Sequence, residues 1–226
     1  MKIQAIRGTR DILPDQIQQW HYVYDILKHT SERFGFEEYR TPIFEKTEVF
    51  QRSIGEETDI VNKEMYTFLD KGGESITLRP EMTAAIVRSI IQNNLLSVHN
   101  ILRVWYFGPF FRYERPQKGR LRQFHQYGAE LIGSPYPEAD VEIIDLAINI
   151  IKSFGITDYK LLINSLGDSI SRQNYRKALV DYFTNNIEKL SNESKQRLQI
   201  NPLRILDSKD PDEQEIISSS PSIIDY

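Results

Sequence analysis

Two alternating segments on either side of a cationic run constrain this chain more than any other feature. Phe110-Phe111-Arg112-Tyr113-Glu114 and Gln123-Phe124-His125-Gln126-Tyr127-Gly128-Ala129-Glu130 flank a short polar stretch. From Arg112 to Arg122 there are five cations (Arg112, Arg115, Lys118, Arg120, Arg122) and one anion, Glu114. Two β-rich arms joined by such a loop predict an antiparallel hairpin. Side chains alternate across a strand, so Arg112 and Glu114 share one face of the first arm. Gln126, Gly128 and Glu130 share one face of the second, and His125, Tyr127, Ala129 and Leu131 take the other. Alternating polar groups often mark nothing more than a solvent face. Three details point instead to a ligand. Gly128 sits in mid-strand, where glycine weakens a sheet unless something approaches closely. The polar set is mixed (a forked cation, an amide and two carboxylates), which suits a molecule with a carboxylate, an ammonium and a ring nitrogen. The basic loop suits a polyphosphate or a nucleic-acid backbone. His125 lies on the opposite face from Gln126 and is expected to pack rather than to catalyse.

Around this hairpin the periodicities predict a mixture of helices and strands. Pro14-Asp15 opens a helix with Ile17, Trp20, Tyr24, Leu27 and Phe34 at helical spacing, and Gly35 is placed to end it. Residues 36–40 read as a short strand, and residues 45–63 as a polar, charged segment with an exposed loop at Gly55-Glu56-Glu57-Thr58-Asp59. Residues 65–68 and 75–78 read as strands about a turn at Asp70-Lys71-Gly72-Gly73. Pro80 suits the first turn of a helix reaching about Leu96, with Ile86, Ile90 and Leu95 inward. Residues 101–107 form a further strand. A helix over 137–154 turns Ile144, Ile148 and Ile151 inward. A strand over 159–164 and a helix over 171–190 follow, and beyond Asn201 the pattern weakens. Strands clustered between 65 and 132 favour an α+β fold, an antiparallel sheet flanked by helices. A soft boundary near residue 158 divides the chain into 1–158 and 159–226.

A second chemical element is Leu78-Arg79-Pro80-Glu81-Met82-Thr83-Ala84-Ala85. A carboxylate in the first turn of a helix is commonly a partner for the helix dipole. Alternatively, Glu81 and Thr83 hold an ammonium group.

Composition narrows the class. With 226 residues, 40% of them hydrophobic, the chain can build a sizeable core. It has no cysteine, and its four histidines lack metal-ligand spacing, so neither disulfides nor a resident metal site is expected. No apolar run is long enough to span a bilayer, and the start carries no signal-peptide pattern. A cytoplasmic protein without a membrane partner is expected. The net charge of −4 places any nucleic-acid contact in a local patch.

These motifs resemble the class II aminoacyl-tRNA synthetases and, within them, the histidyl family. Ala5-Ile6-Arg7-Gly8-Thr9-Arg10-Asp11 is similar to that family's start. Residues 35–42 resemble class II motif 1, with Pro42 at the dimer-interface proline, and Phe111 through Glu130 resembles motif 2. Arg115-Pro116-Gln117-Lys118-Gly119-Arg120-Leu121-Arg122-Gln123-Phe124-His125-Gln126 is similar to the histidyl family's own motif 2 loop. Residues 78–84 resemble its amino-acid loop, with Met82 where bacterial members carry glycine. The resemblance implies ATP-dependent activation of L-histidine and its transfer to tRNA(His) by a homodimer. It implies that Glu81, Met82, Thr83, Arg112, Gln126 and Glu130 bind histidine, with Glu130 accepting a hydrogen bond from the imidazole. It implies that Arg112, Glu114 and Arg120 bind ATP, that Arg112 is catalytic, and that Mg2+ bridges the phosphates. It further implies a truncated catalytic core. Motif 3, later catalytic groups and the anticodon domain lie outside these residues, and 159–226 holds a remaining core strand and the start of an insertion region. The alternative is a histidine-binding relative resembling the regulatory subunit of ATP phosphoribosyltransferase.

Overall fold

A computed structural model describes residues 3–54, 64–165 and 167–226. The chain forms two compact units, Met1–Asp158 and Tyr159–Tyr226.

The first unit begins with α1 (Pro14–Arg33), whose Pro14 occupies the first turn, where its missing N–H is not needed. Gly35 ends α1 with φ +76° and donates to the Glu32 carbonyl at 3.0 Å. Leu27, Thr30 and Ser31 are buried, whereas Ile17, one of the apolar residues at helical spacing, is exposed. Then come β1 (Glu37–Glu38), β2 (Phe44–Lys46) and α2 (Thr47–Ile54). The first part of the polar segment over 45–63 is therefore strand and helix, and the loop expected at Gly55 to Asp59 lies outside the described residues. β3 (Tyr66–Leu69) and β4 (Ser75–Leu78) form the expected hairpin, and β2 joins it to make an antiparallel sheet ordered β2-β4-β3. α3 (Thr83–Gln92) starts three residues after Pro80 and stops short of Leu96. Leu95 falls in a separate 3-10 turn, Leu95–Ser97.

β5 (Leu102–Phe111) and β6 (Gln123–Ile132) are the long arms of the second sheet, ordered β1-β5-β6. The two strands expected at 101–107 and 110–114 are one continuous strand, which ends at Phe111, so Arg112 and Glu114 stand just beyond it. β1 runs parallel to β5 while β6 runs antiparallel, so this sheet is mixed. α4 (Glu138–Ser153) closes the unit. It buries Leu146 and Ile150, with Ile143 and Phe154 packed beside them, rather than the expected stripe of Ile144, Ile148 and Ile151. A segment this rich in isoleucine carries two apolar stripes, and tertiary packing chose between them.

Two cores sandwich the β5–β6 sheet. Met82, Ile86 and Ile90 pack against Val104, Tyr106 and Phe110 on one face. Leu27, Phe36, Leu146 and Ile150 pack against Trp105 on the other, with Phe107, Tyr127, Ala129 and Leu131.

The second unit opens with residues 159–164, expected as a strand. They form none, and Leu161, Leu162 and Ile163 are exposed. Strand composition needs a pairing partner and packing neighbours to become a strand, and these residues have neither ladder nor burial. α5 (Ser169–Asn185) follows, with the Asp168 side chain accepting from the Ser171 N–H at 2.8 Å. Then come α6 (Asn192–Ile200) and α7 (Gln214–Ser218). Although the pattern fades after Asn201, Ile205 and Ile216 are buried with Tyr175, Leu179, Phe183 and Leu190. Short 3-10 turns give too few residues for a periodic signal. The buried Glu213 ties this unit together, accepting from Ser191 N–H at 2.7 Å, Ser194 Oγ at 2.9 Å and Ser208 Oγ at 2.5 Å.

Candidate functional site

The β5–β6 register sorts the candidate residues. Val104 pairs with Glu130, Tyr106 with Gly128, Gly108 with Gln126 and Phe110 with Phe124. Directly paired residues in an antiparallel ladder project to the same side. Gln126, Gly128 and Glu130 thus share the face that packs on α3. Arg112, two positions past Phe110, reaches the same side, with its guanidinium 5.4 Å from the centre of the Phe124 ring. His125 is on the reverse face, edge-on to Trp20 at 4.5 Å and 5.7 Å from Phe107. Burial, then the nearby Arg10 and Arg79 charges, holds its pKa below the usual value. It has the surroundings of a packing residue.

The start of α3 supplies the second wall. Thr83 Oγ1 donates to Glu130 Oε1 at 2.6 Å. Glu81 accepts from the Ala84 N–H at 3.1 Å, a helix-capping contact. Neither Glu81 nor Glu130 has a cationic partner among the described residues. Burial raises the Glu130 pKa, the Thr83 hydrogen bond partly offsets this, and the Glu81 charge raises it further. Two carboxylates without a cation among the described residues leave a charge that a cationic group would complement. Arg112 Nε donates to the Pro80 carbonyl at 3.0 Å, which fixes the guanidinium beside the same turn. No carboxylate pairs with Arg112 among the described residues, so its remaining donors suit an anion. Met82 differs from the rest of the candidate set: its side chain is 2% exposed and belongs to the core.

The cationic loop is tied at three levels. Gln117 and Arg120 exchange backbone hydrogen bonds across Lys118-Gly119, where Gly119 takes φ +81°. Arg120 pairs with Glu114 at 3.1 Å. Two of the three residues expected to meet ATP therefore meet each other here. An exposed pair of this kind contributes at most about 1 kcal/mol and separates readily. Arg122 stacks 4.1 Å from the centre of the Tyr113 ring, and its N–H donates to the Gly8 carbonyl at 2.7 Å.

Three supporting residues were not singled out from sequence. Tyr106 lies over Gly128, so the close approach implied by that glycine comes from the protein itself. Arg79 is buried, donating to the carbonyls of Pro109 at 3.0 Å and Thr41 at 3.1 Å. A Cβ on Gly108 would come within 2.7 Å of its Nη2. Gly8, at φ +86°, is pressed against the Arg122 side chain. Glycines in mid-strand were the available signal, but they do not say what approaches. A separate cavity of about 460 Å³, lined by Arg10, Trp20, Phe107, Gln123 and His125 among others, includes none of Glu81, Thr83, Arg112, Gln126 or Glu130.

Residues 8–185 match the histidyl-tRNA synthetase family. The chain is 55% identical over 224 residues to a histidine–tRNA ligase of Crocosphaera subtropica, covering 99% of this chain and 52% of that protein. It is 50% identical over 228 residues to the corresponding ligase of Lactiplantibacillus plantarum, covering all of this chain and 54% of that one. The chain thus spans about half the length of these relatives. Among solved structures, S. aureus histidyl-tRNA synthetase in its apo form superposes with a TM-score of 0.76 at 38% identity, over 100% of this chain and 50% of that one. A Bacillus halodurans protein described as an ATP phosphoribosyltransferase regulatory subunit/histidyl-tRNA synthetase shares the fold, with a TM-score of 0.60 at 24% identity over 95% of this chain and 58% of its own. This chain belongs to the histidyl-tRNA synthetase family.

Proposed function

We propose that the protein carrying this chain activates L-histidine with ATP and transfers it to tRNA(His), and that the α3-facing side of the β5–β6 hairpin holds the amino acid. The observation that supports this best is the pairing of two cation-free carboxylates, Glu81 and Glu130, with a carboxylate-free arginine, Arg112, around one turn. A zwitterion with a basic ring fits that charge pattern. Glu81, Thr83 and Gln126 receive the ammonium, and Glu130 accepts from a ring N–H.

In the activation step the histidine carboxylate attacks the α-phosphorus of ATP. One carboxylate oxygen bonds to phosphorus, the bond to the bridging oxygen breaks, and pyrophosphate leaves. Two anions are pressed together and charge builds on the phosphate oxygens. A guanidinium bridges both groups with paired donors, which a lysine cannot do. Its anchorage to the Pro80 carbonyl prepares that geometry in advance. Glu114 and Arg120 part to receive adenine and the outer phosphates. Magnesium would arrive bound to the nucleotide phosphates and supply further positive charge there. No cluster of three ligating side chains stands ready for a metal among the described residues. The cationic loop extends the site toward the acceptor end of tRNA. The parent protein is a cytoplasmic homodimer joined through residues 35–50. No described helix is long and apolar enough to cross a membrane.

Histidine-dependent pyrophosphate exchange by the full-length protein tests this function. Arg112→Ala is expected to lower the rate about a hundredfold, the cost of losing one preorganised donor at a developing charge, while His125→Ala changes it little. Equal losses would reject the assignment of faces. Sedimentation at micromolar concentration is expected to give a dimer, and a stable monomer would reject the assembly.

A further inference from the structure

Arg79 follows the last residue of β4 and joins the two sheets of the first unit. Its N–H donates to the Ile43 carbonyl, just before β2, at 2.9 Å. Its carbonyl accepts from the Phe111 N–H, at the end of β5, at 3.1 Å. The side chain bridges the same two segments. Nε donates to the Pro109 carbonyl at 3.0 Å and Nη1 to the Thr41 carbonyl at 3.1 Å, with the guanidinium carbon 4.9 Å from the centre of the Phe110 ring. The residue is 5% exposed, and no carboxylate pairs with it among the described residues.

A buried cation is costly to desolvate, and a well-packed apolar residue serves stability as well or better. What the guanidinium supplies is geometry: a rigid planar fork that reaches two carbonyls at once, which an ammonium does not match. The segment it holds is the one that carries the candidate site. The Phe111 N–H meets the Arg79 carbonyl, and one residue on, Arg112 Nε meets the Pro80 carbonyl at 3.0 Å. With the Arg79 Nε bond to Pro109, residues 79–80 and 109–112 are closed by three hydrogen bonds, and the last of them orients Arg112. Glu81, next in sequence, has its own tether to the Ala84 N–H.

We propose that Arg79 is a positioning residue for the activation step: its clamp on Thr41 and Pro109 fixes residues 79–80 against the end of β5, and so sets the Pro80 carbonyl that orients the Arg112 guanidinium. This rests on the assignment of Arg112 to the reacting carboxylate and α-phosphate. Those two groups come together only as the new bond forms. Loosening the anchor of the group that bridges them therefore costs more in the transition state than in the bound ground state. In this role Arg79 acts through Arg112.

The test is histidine-dependent pyrophosphate exchange by the full-length protein. Arg79→Lys keeps the charge and loses the fork. Its kcat is expected to fall about tenfold, within the roughly hundredfold that an ångström of misplacement costs. The KM for histidine is expected to stay within about twofold, because Glu81 keeps its own tether. Gly108→Ala perturbs the same clamp with Arg79 in place. Its Cβ would come within 2.7 Å of Nη2, and the other atom in contact is Cζ of the same side chain, at 4.0 Å. It is expected to lower kcat about threefold, the scale of a side chain pushed off its rotamer, and to lower it no further in Arg79→Lys. The discriminating background is Arg112→Ala. There Arg79→Lys is expected to leave kcat where Arg112→Ala put it, whereas a loss of folded protein would multiply in both backgrounds. Multiplicative losses, or a raised KM for histidine with kcat unchanged, would overturn the proposal. An unchanged kcat in Arg79→Lys beside a lowered one in Arg112→Ala overturns it too and leaves the assignment of Arg112 standing. An unchanged kcat in Arg112→Ala rejects that assignment as well.

Discussion

Gly128→Ala places one methyl group where the structure has no room for it. The added Cβ would sit 2.2 Å from Tyr106 Cζ and 2.3 Å from the hydroxyl oxygen, whereas ordinary contact begins at 3.4 Å. Tyr106 would have to retreat by more than an ångström. It is 9% exposed and packed among Met82, Ile86, Ile90, Val104 and Phe110, and a planar ring cannot fold out of the way. Overpacking of this kind costs roughly 1–3 kcal/mol, and a rigid neighbour puts the cost in the upper part of that range. Replacing a strand glycine returns about 0.5–1 kcal/mol of backbone entropy. The net loss expected is therefore about 1.5–2 kcal/mol. Both tryptophans, Trp20 and Trp105, lie in Met1–Asp158, so intrinsic fluorescence in urea follows that unit. With an m-value near 2 kcal/mol/M, the midpoint falls by about 0.7–1 M. The decisive control is the Tyr106→Ala background, where the obstructing ring is gone. There Gly128→Ala is expected to be neutral or stabilising. The same midpoint loss in both backgrounds would refute the steric explanation.

Two further outcomes follow from the packing. His125 has a folded pKa below its unfolded value, so the unfolded chain binds the proton more readily, and His125 favours the folded state only while neutral. The wild-type urea midpoint is thus expected to be steady above about pH 6.5 and to fall below it more than that of His125→Phe; parallel pH profiles would exclude His125 as the cause. In the second unit, Glu213→Ala leaves the Ser191 N–H and the Ser194 and Ser208 hydroxyls without their acceptor, at a cost on the order of 3 kcal/mol. Limited proteolysis is expected to cut residues 159–226 markedly faster. Burial pushes the Glu213 pKa up, but its hydrogen bonds outweigh this and hold it low. Its contribution is therefore present above about pH 4.3 and lost as pH falls through the depressed pKa, so the variant and the wild type converge in acid.

What the sequence determined by itself was periodic and local. Period-two alternation separated Gln126 and Glu130 from His125, because successive strand residues point to opposite faces whatever lies beyond the strand. The apolar spacing and Gly35 located α1, and the glycines of residues 70–73 located the β3–β4 turn. The motif residues carried the family, since a specific loop sequence needs no coordinates to be recognised. Tertiary structure decided everything that depends on a distant partner. It paired β1 parallel to β5, took Met82 into the core, chose Leu146 and Ile150 over Ile144 and Ile148, and left residues 159–164 without a ladder. It also set Arg120 against Glu114 and Tyr106 over Gly128. A mid-strand glycine announces a close approach, but the group that approaches comes from another strand, and only the register of β5 against β6 brings that tyrosine to that glycine.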